Sequence, residues 1–209
     1  MAARNKIVKL NEAARKRSDQ RAEMKRELAA HAVTTLAQLG YARTSLRDIA
    51  AQSDRSLGAL SYYFADKVDL ISYCVRLYKE NFVKRIDEIM TAATSAEMVL
   101  EGFVGGLVEA IDKDSETHRL WYDIRSQSLF EDGFHEVVSE IEQALINVIG
   151  RLSAHLDIST IGVKELYYLL DGSFRFHLQK KLWHHERCLE DFRNELYKLF
   201  ASLGVTERR

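Results

Sequence analysis

Thr44-Ser45-Leu46-Arg47-Asp48-Ile49-Ala50-Ala51-Gln52-Ser53-Asp54-Arg55-Ser56-Leu57-Gly58-Ala59-Leu60-Ser61-Tyr62-Tyr63-Phe64-Ala65-Asp66-Lys67-Val68-Asp69-Leu70 is the stretch that decides the fold of this 209-residue chain. Ser45 is followed three residues later by Asp48, a spacing that lets the two side chains satisfy orphan amides at a helix start. Leu46, Ile49 and Ala50 then form one apolar face at helical spacing. Gln52 to Arg55 breaks that pattern. Ser56 is placed to cap a second short helix, whose inward anchors are Leu60 and Phe64 at i and i+4. Asp66 is placed to cap the next helix, which Lys67 opens. Helices this short are unstable alone and must be held by packing. Two of them joined by a tight turn make a helix-turn-helix unit.

At these residues the chain resembles the TetR family of one-component transcriptional regulators. The resemblance rests on Gly40-Tyr41, Thr44, Arg47-Asp48-Ile49-Ala50, Ser56, Gly58, Leu60, Tyr62-Tyr63-Phe64, Lys67 and Leu70, and covers roughly the first third of the chain. Two positions depart from the family pattern. Asp54 stands where the family turn usually carries Gly, and Asp tolerates the left-handed conformation better than most residues. Ser61 stands where an aromatic is frequent, so a contact made by that ring is lost or replaced.

The recognition segment has the composition expected of a helix that approaches base edges. Gly58 and Ala59 let its backbone come close, Ser61 can donate or accept, and Leu57 and Ala59 can touch a thymine methyl. The resemblance implies that Thr44, Tyr62 or Tyr63, and Lys67 bind phosphates. The tyrosines equally suit packing within the head. Arg47 and Arg55 flank the helix, but its exposed face carries no Arg or Asn for bidentate base contacts. Specificity is therefore expected to lean on apolar contacts and DNA shape. The expected DNA-binding set is Thr44, Arg47, Ser56, Leu57, Gly58, Ala59, Ser61, Tyr62, Tyr63 and Lys67.

Charge is distributed to match. The net charge is −1, yet residues 1–67 hold 13 Lys/Arg against 7 Asp/Glu, and residues 68–209 hold 17 against 24. A basic head on an acidic remainder suits a DNA-facing end and a body that DNA avoids. Residues 1–20, with Arg4, Lys6, Lys9, Arg15, Lys16 and Arg17, read as a frayed helix or a disordered arm able to neutralise phosphates. No run approaches the 18 apolar residues of a membrane span, and no apolar segment follows the basic N-terminus to make a secretory signal. Cys74 and Cys188 read as two free thiols in a reducing cytoplasm. Proline is absent, which suits long helices.

Along the chain, Arg21–Leu39 reads as the first helix of the head, stopped by Gly40. Lys67 to about Met90 forms one unbroken helix, able to join head to body as a stiff rod. Ser95–Asp112 is apolar nearly all round and so central, with Gly102, Gly105 and Gly106 permitting close packing or leaving room for a ligand. Helices follow at Glu116–Phe130, Phe134–Leu156, Gly162–Lys181 and Glu186–Leu203. The last two are apolar on more than one side, and the resemblance implies that they pair with their symmetry mates; core packing is the alternative. Asp171 and Arg175, at i and i+4, read either as a structural ion pair or as a contribution to a ligand pocket.

The expected fold is all-α: a basic arm (1–20), a helix-turn-helix domain (21–66) and a helical ligand-binding and dimerisation domain (67–209), with about nine helices. No nucleophile motif, P-loop, dinucleotide fingerprint or HExxH occurs, which argues against an enzyme, and no cofactor is expected. His184-His185-Glu186 has the wrong spacing for one ion, since adjacent helical residues diverge. The expected partners are a double-stranded DNA operator, a second copy of the chain and an unidentified small-molecule effector, with no membrane. The aromatics Phe103, Trp121, Tyr122, Phe130, Tyr167, Phe174 and Trp183 exceed what a plain bundle needs. Trp121, Tyr122, Arg125 and Tyr167 are the expected ligand-binding residues. Two rival functions remain: a DNA binder without a small ligand, and a helical enzyme.

Overall fold

The computed structural model describes residues 2–52 and 56–205, with side chains from Arg15 onward. Among the described residues the chain is built of eight α-helices and one 3-10 turn. It divides into two compact units, residues 1–74 and 75–209.

The first unit contains α1 (Ala2–Leu39), α2 (Leu46–Gln52), α3 (Leu57–Tyr63) and the first turns of α4 (Lys67–Ala92). Helix α1 begins well before Arg21, because residues 2–20 are free of Gly and Pro and rich in Ala, Arg and Lys. Gly40 ends it at φ +77°, its amide donating to the Leu36 carbonyl at 2.8 Å. Leu28, Ala32 and Leu36 of α1, Ile49 of α2, and Leu60 and Phe64 are buried together with Leu70 and Cys74 of α4. The division falls after Cys74 because α4 starts inside this unit: the Cys74 thiol reaches the Ala29 carbonyl at 3.5 Å, and Phe64 meets Tyr73 edge-on.

Three caps set these short helices. At α2 the Ser45 amide and hydroxyl both donate to Asp48 Oδ2, at 2.8 and 2.6 Å, and the Asp48 amide returns to Ser45 Oγ. At α3 the Ala59 amide donates to Ser56 Oγ at 3.1 Å. At α4 the Asp69 amide donates to Asp66 Oδ1 at 2.8 Å, and Asp69 reaches back to the Ala65 amide. Each cap is worth about 1 kcal/mol, much of what a seven-residue helix can gain locally. Asp54 and Arg55, between α2 and α3, lie outside the described residues, as do the side chains of Arg4, Lys6 and Lys9.

In the second unit α5 (Ala96–Gln127) is central, packing on α6 (His135–His155), α7 (Val163–Leu182) and α8 (Cys188–Ser202). The separate helices expected at Ser95–Asp112 and Glu116–Phe130 are one element kinked at Asp114, whose φ −118° and ψ 21° are non-helical. Gly102 and Gly106 are packing glycines. A Cβ on Gly102 would lie 2.5 Å from Ile89 Cγ2, and one on Gly106 would lie 2.9 Å from Ile86 Cδ1. Gly105 faces open space. Helix α5 stops at Gln127, and the turn before Asp132–Phe134 throws Leu129 and Phe130 outward, Phe130 to 87% exposure. Phe130 and the exposed Trp183 therefore stand outside the wall of this unit's cavity.

Candidate nucleic-acid interface and ligand cavity

Helix α3 presents two faces. Leu60 and the following Phe64 point inward, and Leu57, Gly58, Ser61 and Tyr62 lie on the opposite, exposed side. Ala59 and Tyr63 are half-buried at its edge. A Cβ on Gly58 would meet only Ser56 Oγ, at an ordinary 3.8 Å, so nothing within the chain requires glycine there. Tyr62 is 67% exposed, stacked edge-on against Tyr63, with the Arg21 guanidinium 5.4 Å from its ring. Arg47 is exposed on α2.

Three expected contact residues have other duties. Thr44 is buried and its hydroxyl donates to the Gly40 carbonyl at 2.8 Å, so it offers no free hydroxyl on the exposed face. Ser56 Oγ is the α3 cap. Lys67 Nζ donates to the Tyr41 carbonyl at 2.6 Å and sits 3.8 Å from the Tyr41 ring centre, which ties α4 to the end of α1.

The second unit holds a cavity of about 60 Å³ walled by α4, α5, α6 and α7. Its wall is mostly apolar, with Phe82, Ile86, Phe103, Leu107, Val148 and Phe174, and it carries a polar cluster of Lys79, His118, Trp121, Tyr122, Tyr167 and Asp171. Trp121, Tyr122 and Tyr167 thus stand together in the wall as expected ligand-binding residues. Arg125 does not line the cavity. It is held behind the wall, its Nε 2.7 Å from Glu142 Oε1 and its Nη1 2.6 Å from Asp171 Oδ2. The i,i+4 pairing of Asp171 with Arg175 gives way to this arrangement, because Asp171 also accepts from the Tyr122 hydroxyl at 3.0 Å. Arg175 instead lies over the Tyr122 ring at 5.6 Å.

Lys79 and His118 were not among the sequence candidates. Both interrupt buried helical stripes: Lys79 between Val75 and Phe82, His118 between Ile111 and Trp121. A cationic or titratable residue at such a spacing is the signal that could have found them. Lys79 is 4% exposed, its ammonium 5.0 Å from the Trp121 ring, 5.1 Å from Phe82 and 5.5 Å from Tyr78. Burial pushes it down to about 7, with Asp171 opposing and Arg125 reinforcing the shift. His118 is fully buried among Phe174, Phe82 and Tyr78, and burial holds it well below its ordinary value, aided by Lys79 and Arg85. Burial raises Tyr122 and Tyr167, and the Asp171 charge adds to both shifts.

His118 gives a pH test. Below about pH 6.5 the unfolded chain protonates this histidine and the native state does not, so stability falls as pH falls. The slope is about 1.4 kcal/mol per pH unit until the native value is reached. His118→Phe, a ring of similar shape among rings, is expected to remove that slope in urea titrations between about pH 7.5 and 5.5. A variant whose profile runs parallel to wild type would show that His118 does not titrate this way.

A capped helix-turn-helix with one exposed, small-residue face, followed by a helical unit with a cavity, defines a DNA-binding regulator of the helix-turn-helix class. Residues 28–74 match the family described as bacterial regulatory proteins, tetR family. The chain is 24% identical over 160 residues to the HTH-type transcriptional regulator PksA of Bacillus subtilis (strain 168), a match spanning 71% of this chain and 75% of that protein. Its fold resembles that of a transcriptional regulator from Saccharomonospora viridis solved in complex with choline: TM-score 0.72, 17% identity, 90% of this chain and 100% of the other covered. It also resembles the regulator FadR from Bacillus subtilis solved in complex with stearoyl-CoA: TM-score 0.67, 17% identity, 83% and 95% covered. Residues 28–74 thus carry the helix-turn-helix region of the tetR family, and the chain as a whole shares its fold with these regulators. Among its described residues no helix is long and apolar enough to cross a membrane.

Proposed function

We propose that this regulator is a repressor that binds a near-palindromic operator as a homodimer and leaves it when a small molecule enters the body cavity. The observation that carries the DNA half of this reading is the exposed α3 face, where Gly58 has no internal reason to be glycine. A close external approach supplies that reason. The cavity supports the effector half, as do the small molecules bound to the fold neighbours. A ligand releases DNA only if it binds the non-binding arrangement of the dimer more tightly than the DNA-bound one. Helix α4 contributes Lys67 to the head and Lys79 to the cavity wall, so ligand contacts bear on an element shared with the head.

The dimer is assigned to α7 and α8. Leu169, Gly172 and Phe176 form a stripe along α7 that is exposed in the single chain, with Tyr168 beside it and Trp183 just past its end. Aromatic and aliphatic side chains in one exposed row mark an association surface.

Gly58→Leu tests the DNA half. Space around Gly58 within the chain accommodates the side chain, so folding should be unchanged by circular dichroism. Affinity for a duplex enriched from a random pool by wild-type protein is expected to fall about 100-fold or more. Undiminished binding would remove α3 from the DNA interface.

A further inference from the structure

We propose that the body cavity takes a small apolar molecule bearing a carboxylate, with the Lys79 ammonium as its counter-charge. The proposal rests on the cavity being the effector site and names the chemistry of its occupant.

The accounting of donors and acceptors points to an anion. Asp171, the cavity's carboxylate, is already engaged by Arg125 and by the Tyr122 hydroxyl. Glu142, behind the wall, is engaged by Arg125 as well. The Lys79 ammonium lies against the rings of Tyr78, Phe82 and Trp121, with the Asp171 charge acting on it. Trp121 Nε1, the Tyr167 hydroxyl and both His118 ring nitrogens are buried without a hydrogen-bond partner, and all three side chains line the cavity. An ammonium offers three donors and an indole one, with no acceptor on either. The cavity wall therefore has a surplus of donors, and buried donors demand acceptors. A carboxylate supplies two acceptor oxygens to these donors and keeps Lys79 protonated beside it. A cationic guest is disfavoured because the rings that would surround it already face the Lys79 ammonium. A neutral apolar guest would leave the donors unsatisfied.

The remaining wall sets the size. About 60 Å³ bounded by Ile86, Leu107, Val148 and Leu170 is less than a benzene ring needs, so a ring-bearing acid fits only by extending toward the neighbouring groove. An open groove of about 900 Å³ between α4 and α6 is also lined by Lys79 and Val83, so these two residues stand between groove and cavity.

The test uses the full chain and three matched probes: benzoate, benzamide and benzylamine. Binding is followed by thermal shift and calorimetry. Wild type is expected to bind benzoate about tenfold or more tightly than either other probe. Lys79→Met is expected to weaken benzoate about tenfold or more and to leave benzamide nearly unchanged. Preference for benzylamine or benzamide, no binding of any probe, or benzoate affinity unchanged in Lys79→Met would overturn the proposal. Leu145→Trp fills the cavity from a half-buried position and separates the two readings. If a probe other than benzoate is preferred and Leu145→Trp abolishes its binding, the cavity remains the ligand site and the acid is wrong. If benzoate binds Leu145→Trp as it binds wild type, the ligand site is elsewhere and the effector reading itself fails.

Discussion

Lys79→Met is expected to raise the midpoint of thermal unfolding by roughly 5–10 °C near pH 7.5, at fixed protein concentration. The native state holds this lysine about 3.5 pH units below its ordinary 10.5, at about 7. Above pH 10.5 the group is neutral in both states and adds no penalty. As pH falls toward 7 the unfolded chain takes up a proton that the native state resists, so the penalty grows, and below 7 it is constant. At pH 7.5 the native lysine is mostly neutral and its ring contacts return little, so the variant escapes a cost on the order of 2–4 kcal/mol. Met keeps most of the aliphatic stem packed against Phe82 and Trp121. The wild-type rise in stability between pH 7 and 10 should also flatten in the variant. A lysine that costs the fold this much is explained by a task, which is the trade expected at functional sites. A variant no more stable than wild type would show that the buried ammonium is well compensated.

Gly172→Leu is expected to convert the dimer to monomers, moving the mass by light scattering from twice the 24.0 kDa chain to once. A Cβ at Gly172 meets nothing within 4 Å in the single chain, so the substitution does not disturb α7 internally. It even gains about 1 kcal/mol of helix propensity. Any damage must then come from a partner brought against the Leu169–Gly172–Phe176 stripe. Phe176→Glu should act in the same direction by placing a charge in the stripe. A Gly172→Leu protein that remains dimeric at micromolar concentration would place the interface elsewhere.

Local signals and distant ones were not equally legible in the sequence. The caps at Ser45, Ser56 and Asp66 and the anchors Leu60 and Phe64 stand where their spacing puts them, because a cap or an i,i+4 pair is decided within one turn. The central position of α5 follows from its apolar circumference, and Gly102 and Gly106 from packing against Ile89 and Ile86. Arg125 was misplaced because its partners, Glu142 and Asp171, lie on other helices, and only the packed bundle brings them within reach. The same distance effect took Asp171 from Arg175. Phe130 was lost because α5 ends three residues sooner than its apolar pattern suggests, which turns the ring outward. The resemblance implies a phosphate contact at Thr44, and in the folded chain its hydroxyl closes the turn on Gly40. Lys79 and His118 were visible as breaks in apolar stripes, but a break says nothing of what it faces.

The central claim is that two copies of the α3 face, presented by one dimer, bind a two-fold symmetric DNA site. Hydroxyl-radical footprinting of the pool-enriched duplex tests it most directly. The predicted result is a symmetric footprint of two half-sites centred about 34–36 Å apart, or a multiple of that, on one face of the duplex. Gly58→Leu should erase both halves together. A single asymmetric footprint, or a symmetric one unchanged in Gly58→Leu, would contradict the account.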